Sequence, residues 1–153
     1  MDYFINQKHC FHELLVWCKT NPIPTANGTY LPDIEYCLMF REKGTKIAGT
    51  YNTKSKWYLS SINKQDKDKF LHPTIKPVEL IERHLINSAL YQKTKDYTPL
   101  ILDPFAGSGS TCLAAKHLEL DYIGFEIDEG YHKIAEDRLN GINQKGEMNL
   151  FDI

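Results

Sequence analysis

A short glycine-rich segment, DPFAGSGS (103–110), contains the residue types best suited to binding a small ligand. It follows an apolar run, LILD (100–103), and opens a stretch of good helix formers, TCLAAKHLEL (111–120). Open α/β sheets bind ligands at this kind of turn, at the carboxyl end of a strand. Gly107 and Gly109 allow a tight bend and a close approach to a ligand, since no Cβ stands in the way. The segment therefore predicts a site for a nucleoside cofactor.

An acidic residue strengthens this interpretation. Glu126 comes nineteen residues after Gly107, near the end of a second apolar run, YIGFEID (122–128). A carboxylate at the end of such a strand can accept hydrogen bonds from both hydroxyls of a ribose. The alternative is a tight structural turn with an unrelated acid. The strand context and the spacing together favour the cofactor site.

Three cofactors compete for this turn. A dinucleotide needs the third glycine of GxGxxG, and Cys112 stands at that position. A nucleoside triphosphate needs a lysine after the glycines, and none follows here. S-adenosylmethionine fits best, because its methionine part is a compact zwitterion with a sulfonium and needs no phosphate cradle.

The elements that must position these residues can be predicted from apolar patterning. Two runs, 13–17 and 34–40, are short and rich in branched and aromatic residues, which is typical of strands. Helical spacing begins at Pro77 and predicts a helix of three to four turns. The remaining elements are a strand (100–103), a helix (111–120), a strand (122–128) and a helix (129–141) capped by Asp128 and ended by Gly141. This order predicts a βαβα unit with a parallel sheet, and the tail after it forms a third strand or frays.

Composition indicates one globular domain over residues 1–153, with 42% hydrophobic and 25% charged residues. The net charge of −2 conceals a basic middle region, because residues 41–76 carry nine basic and three acidic side chains. Tyr51, Trp57 and Tyr58 are interleaved with its lysines, which suits phosphate neutralisation and base stacking; a lysine-rich solvated loop is the alternative. No apolar run is long enough for a membrane helix, so we expect a cytoplasmic protein. The four irregularly spaced cysteines, and the group His9, Cys10 and His12, do not predict a metal site.

Three segments together closely resemble the carboxy-terminal region of β-class DNA amino methyltransferases: HPTIKPVELIERHLINSAL (72–90), ILDPFAGSGST (101–111) and YIGFEIDEGYHKIAEDRL (122–139). Upstream, LLVWCKTNPIP (14–24) and PDIEYCLMF (32–40) resemble that family's W-x-K-x-N-x-P element and the strand after it. The resemblance implies an α/β, Rossmann-like S-adenosylmethionine-dependent methyltransferase fold, a partial sheet with helices on both faces. It implies methyl transfer from S-adenosylmethionine to the exocyclic amino group of adenine or cytosine in double-stranded DNA, as in restriction-modification. Ile75 departs from the family, which often has glutamine there.

The resemblance also implies roles for individual residues. The methionine end of the cofactor would lie among residues of the glycine turn, namely Asp103, Phe105, Gly107, Ser108, Gly109 and Ser110. Thr74 and Lys76 would close over it, and Glu126 would bind the ribose. Without the resemblance, Lys76 would equally be a surface lysine beside a helix start. Residues 1–40 would then be a strand pair, 41–71 a DNA-recognition segment, and 72–153 the cofactor-binding unit. In the recognition segment, Lys54 and Lys56 would contact phosphates, and Trp57 or Tyr58 would stack.

The family's catalytic element is missing. Its members hold the target amino group with a DPPY-type tetrapeptide, and this sequence contains none. Asp103-Pro104-Phe105-Ala106 is already assigned to the cofactor turn, and Asn21-Pro22-Ile23-Pro24 lacks the aromatic residue. We therefore assign no catalytic residue. The chain is expected to be the carboxy-terminal portion of a methyltransferase, completed by a second chain that carries the tetrapeptide or by a homodimer partner. The alternatives are a non-catalytic cofactor- or DNA-binding fragment and, disfavoured by HPTIKP, an RNA or small-molecule methyltransferase.

Overall fold

The computed structural model of the chain describes residues 10–24, 28–42, 44–62 and 75–142, with side chains described from residue 13 onward. It divides into two compact units, Met1–Ile62 and Asn63–Ile153. The boundary falls inside the basic segment 41–71 that the sequence singles out. Each unit is described by itself below.

The first unit is built around a three-stranded sheet. Its strands are β1 (Cys10–Lys19), β2 (Ile34–Glu42) and β3 (Trp57–Ser60), in the order β2-β1-β3. The first pair is antiparallel, whereas β1 and β3 are parallel. The strands predicted at 13–17 and 34–40 are thereby confirmed, and the basic segment supplies the third strand.

Polar side chains of residues 17–21 connect the end of β1 to both neighbouring strands. The Trp17 indole Nε1 donates to Ser60 Oγ at 2.9 Å, and the Lys19 ammonium lies 2.8 Å from a carboxylate oxygen of Glu35. Two residues later, Asn21 Oδ1 accepts from the backbone N–H of Ile62 at 2.7 Å. The W-x-K-x-N pattern therefore has a structural role in the first unit.

The two faces of this sheet differ in burial. Trp17 is buried on one face. The other face carries side chains that pair across the strands, such as Leu14 with Leu38 and Val16 with Trp57. We call its exposed apolar members the first open face: Leu14, Ile34, Tyr36, Leu38, Trp57 and Leu59.

The second unit has the order predicted from the sequence. It contains α1 (Val78–Ser88), a short 3-10 turn (Leu90–Gln92), β4 (Leu100–Asp103), α2 (Ser110–His117), β5 (Asp121–Gly124) and α3 (Glu129–Leu139). Strands β4 and β5 are parallel, which confirms the βαβα unit. The tail after residue 142 lies outside the described residues.

Several element bounds differ from the sequence predictions, and the difference is largest at the end of the second strand of this unit. The second strand was predicted to reach residue 128, but β5 ends at Gly124. Beyond it, Phe125 N–H still donates to Asp103 O at 2.9 Å, and Phe125 O accepts from Ala106 N–H at 2.8 Å. Pairing ends there because β4 itself ends at Asp103 and its chain turns away to form the glycine turn.

Both predicted ends of α3 are confirmed. Asp128 Oδ1 accepts from Tyr131 N–H at 2.9 Å, which satisfies one of the free donors at the helix start. Gly141 has a φ of 67°, the left-handed conformation that commonly follows a helix end and that glycine adopts without strain.

The core of the second unit lies on one face of the β4-β5 sheet. Ile101 and Tyr122 pack there against a cluster from α1, α2 and the residues after them: Leu85, Ala89, Ala114, Ala115 and Leu120. On the opposite side Leu100, Leu102 and Ile123 are exposed, and we call these three residues the second open face. Within the described part of the chain, no helix has the length and apolar character needed to cross a membrane.

Candidate cofactor-binding site

The glycine turn is held at the ends of β4 and β5 by hydrogen bonds that its backbone N–H groups donate. Asp103, the last residue of β4, accepts from Phe105 N–H through Oδ1 at 3.1 Å. Gly109 N–H then donates to Ala106 O at 2.8 Å, and α2 begins at Ser110. The turn thus leads directly from strand to helix, as predicted. Phe105 projects from it with 88% of its surface exposed.

Glycine is required at two points of the turn. Gly107 and Gly109 have φ values of 53° and 75°, in the region that favours glycine. A Cβ added at Gly109 would lie 2.9 Å from Ala135 Cβ, so α3 also packs directly against the turn.

The packing around Cys112 explains why the third glycine of the GxGxxG pattern is not needed at this position. The third glycine of that pattern lets helix and strand approach closely. Here Cys112 is buried, and a Cβ added at Gly124 of β5 would lie only 2.7 Å from its sulfur. The close approach of α2 to β5 therefore depends on a glycine of the strand.

Glu126 connects the end of β5 to the turn. Its Oε2 accepts from Gly107 N–H at 2.7 Å, and its Oε1 accepts from Asp128 N–H at 3.0 Å. These backbone donors, Asp128 first and then Gly107, lower the pKa of the Glu126 carboxyl below its usual value. Each carboxylate oxygen has a second lone pair, so the group can still accept from a ligand hydroxyl.

The serines of the turn are buried and face other segments of the unit. Ser110 Oγ donates to Lys76 O at 3.1 Å, which joins the turn to the HPTIKP segment. Ser108 O accepts from Arg138 Nη1 at 2.6 Å. The backbone carbonyl of the half-buried Lys76 thus lies next to the turn, whereas Thr74 falls outside the described residues.

The DNA-recognition candidates lie in the first unit. Lys54 is exposed in a turn, where its N–H donates to Thr50 O at 3.1 Å. Lys56 is also exposed, and its Nζ lies 3.9 Å from Glu13 Oε2. Trp57 and Tyr58 are successive residues of β3, so their side chains leave opposite faces of the sheet. Trp57 belongs to the first open face, so only one of the two aromatic side chains can meet a ligand from a given side.

A sequence profile described as DNA methylase, of the N6/N4 type, matches residues 1–137. The chain belongs to the N6/N4 DNA methylase family. The match includes both open faces, the basic segment and the glycine turn.

Two curated relatives are type II methyltransferases. M2.LlaDCHI of Lactococcus lactis subsp. cremoris is 34% identical over 139 residues, which cover 82% of this chain and 49% of that protein. M2.DpnII of Streptococcus pneumoniae is 34% identical over 143 residues, covering 85% and 51% respectively. The chain therefore spans about half the length of the curated relatives that it matches.

A solved structure shares the fold. The M1.HpyAVI-SAM complex aligns with a TM-score of 0.68 at 29% identity, covering 86% of this chain and 63% of that one. This likeness confirms the α/β methyltransferase fold. Among the described residues, α1 and α2 lie against one face of the β4-β5 sheet, and the second open face lies on the other.

Sequence reasoning missed Arg138, a buried charged residue next to the glycine turn. Only 5% of its surface is exposed, and its guanidinium meets both serines of the turn. A signal was present: Tyr131, Ala135 and Arg138 recur at helical spacing, so the arginine falls on the face of α3 that Ala135 buries.

Proposed function

We propose that the chain provides the cofactor-binding and DNA-recognition parts of a site-specific DNA amino methyltransferase of the β class. Such an enzyme transfers a methyl group from S-adenosylmethionine to the exocyclic amino group of adenine or cytosine. The observation that carries the proposal is the glycine turn closed by Glu126, within a chain that belongs to the N6/N4 DNA methylase family. We propose that such an enzyme would act in the cytoplasm.

On the cofactor side, the residues present fit S-adenosylmethionine. Gly107 and Gly109 leave room for a close approach, and Asp103 and Glu126 offer acceptors at the ends of adjacent strands. Glu126 would accept from the ribose with its remaining lone pairs, and Lys76 would donate to the methionine carboxylate. The cofactor supplies an electrophilic methyl group on its sulfonium. The chain's own residues bind and orient it.

On the DNA side, the basic segment 41–71 supplies the charge. Lys54 and Lys56 are exposed and would contact phosphates, which gives affinity without sequence information. Tyr58 or Trp57 would stack on a base. The two aromatic residues occupy opposite faces of β3, and Trp57 lies among the apolar side chains of the first open face. Because they leave opposite faces, only one of the two would stack on a given base.

The chemistry requires groups that this sequence does not contain. No DPPY-type tetrapeptide is present, and the chain spans about half the length of its curated relatives. Parallel strands are normally covered on both faces, yet the second open face exposes Leu102 to 61%. We therefore propose that a further polypeptide segment carrying the tetrapeptide, outside residues 1–153 and either in the same protein or in a partner chain, completes the domain and covers the open faces.

Calorimetry with S-adenosylmethionine tests the cofactor assignment. Saturable binding is expected for the folded chain, and Asp103→Ala should weaken it about tenfold, because the carboxylate acceptor at the end of β4 is lost. Asp96→Ala, in the loop before β4, is the matched control and should bind like the parent chain. Folded protein that fails to bind would overturn the assignment.

A methylation assay tests the division of labour. The chain alone should transfer no labelled methyl group to DNA, whereas adding a polypeptide with the tetrapeptide, encoded by an adjacent reading frame, should restore transfer. Turnover by the chain alone would disprove the need for a separate chain. If the active species is a homodimer of this chain, a second copy of the chain would be the partner.

A further inference from the structure

Arg138 is a buried cation in the second unit, and three of its contacts are made with the glycine turn. It lies in the last turn of α3, and only 5% of its surface is exposed. Its Nη1 lies 2.6 Å from Ser108 O, 3.2 Å from Ser108 Oγ and 3.1 Å from Ser110 Oγ. A guanidinium cannot lose its charge in a protein, so each of these contacts involves a full positive charge.

The network extends beyond the turn. Ser110, which meets Arg138, also donates to the backbone carbonyl of Lys76 at 3.1 Å. A hydrogen-bonded chain thus runs from α3 through the start of α2 to the segment before α1. The three sequence segments 72–90, 101–111 and 122–139 meet in it. Because these groups are buried, removal of the cation would leave Ser108 O and the serine hydroxyls poorly satisfied.

We propose that Arg138 is a positioning residue that presets the glycine turn for the methionine end of the cofactor. This inference rests on the proposed function, because that proposal identifies the ligand as S-adenosylmethionine. Arg138 acts through Ser108 and Ser110, whose backbone forms the wall that the cofactor would approach. Loss of Arg138 should therefore increase the mobility of residues 107–110 and lower the affinity for ligands that contact the turn. Binding of the nucleoside end of the cofactor, assigned to Glu126, should be much less affected.

Hydrogen exchange of the unliganded chain tests the positioning role without any cofactor. In Arg138→Gln, amides 107–110 should exchange about tenfold faster or more than in the parent chain. Lys133→Gln is the matched control, since it removes one positive charge from the same helix at an exposed position. Its exchange should match the parent. Equal exchange in the two variants would overturn the proposal. If Arg138→Gln does not fold, Ser110→Ala removes one acceptor with less disturbance and should accelerate the same amides.

Ligand selectivity separates positioning from general destabilisation. Arg138→Gln should bind S-adenosylmethionine about tenfold more weakly, yet bind adenosine, which lacks the methionine part, within about twofold of the parent. Arg138→Lys should recover part of the loss, because the three contacts converge on a single nitrogen. An equal loss for both ligands would refute the proposal. A parent chain that binds neither ligand would refute the cofactor assignment, and hydrogen exchange would still decide the role of Arg138.

Discussion

Glu126 shows how one side chain can serve both the fold and the site. Its two oxygens accept from Gly107 N–H and Asp128 N–H, so the carboxylate joins the glycine turn to the chain leading into α3. An anion in this position is stabilised by the donors that face it, which is why its pKa is lowered. The same residue is the proposed ribose acceptor, so substitutions at 126 should change both the turn and the ligand affinity.

Glu126→Gln should lower the affinity for S-adenosylmethionine about tenfold, since an amide offers one acceptor oxygen where the carboxylate offers two. Calorimetry at neutral pH measures this change. Glu129→Gln, at an exposed position in the first turn of α3, is the control and should leave the affinity unchanged. Equal affinity of Glu126→Gln and the parent chain would contradict the assigned contact.

The lowered pKa of Glu126 also predicts a pH dependence. A carboxyl whose folded pKa is depressed contributes stability above its unfolded pKa of about 4.3, and this contribution disappears as the pH falls through the lower folded pKa. The difference in melting temperature between the parent chain and Glu126→Gln should therefore be constant above pH ~5 and shrink below pH ~4. A difference that stays constant down to pH ~3 would argue against the depressed pKa.

At the scale of elements, the site depends on how closely helices approach the turn. Gly109 lies against Ala135 of α3, and Gly124 of β5 lies against Cys112 of α2. Both glycines create room for a neighbouring element, although only Gly109 has a positive φ. The site therefore requires small residues at particular points of contact between elements.

Gly109→Ala should reduce the free energy of unfolding by about 2 kcal/mol or more, because it combines a left-handed backbone with a Cβ clash against Ala135. Gly28→Ala separates the two causes. Gly28 has a similar φ of 64° and nothing within 4 Å of an added Cβ, so only the backbone cost of about 1 kcal/mol should appear. Chemical denaturation measures the free energy of unfolding of both variants. Equal losses in the two variants would exclude a contribution from the clash with Ala135.

The cap of α3 can be tested independently. Asp128→Ala should cost about 1 kcal/mol of unfolding free energy, because Tyr131 N–H loses its side-chain acceptor. Asp128→Asn keeps an acceptor oxygen and should cost much less. Thermal and chemical denaturation measure the stability of both variants. Equal stabilities of Asp128→Ala and Asp128→Asn would show that the cap hydrogen bond does not stabilise the helix.

At the scale of the whole molecule, both units leave apolar sheet faces exposed. The first open face includes Tyr36 and Trp57, and the second includes Leu100, Leu102 and Ile123. Exposed apolar patches and unpaired strand edges promote association. Each unit therefore has a surface that a further polypeptide could cover, as the proposed function requires.

Leu102→Gln with Ile123→Gln should reduce self-association of the isolated chain and its binding of the apolar dye ANS. The reason is that both side chains are already exposed, so their replacement costs little in folding. Light scattering over a range of concentrations measures the association. Tyr91→Gln, an exposed residue of the 3-10 turn outside both open faces, is the control. Association that is unchanged in the double variant would show that the second open face does not drive it.

Local spacing determined much of this protein. The glycine turn, α1, α2 and α3, strands β1, β2 and β4, and the cap at Asp128 could all be predicted, because periodicity and turn chemistry act over a few neighbouring residues. The resemblance to a methyltransferase family came from the same short motifs. Only the tertiary structure decided that β5 stops at Gly124, that Glu126 holds Gly107, that Arg138 is buried against Ser108 and Ser110, and which sheet faces stay open. These features depend on contacts between segments distant in sequence, and a single sequence contains no direct record of such distances.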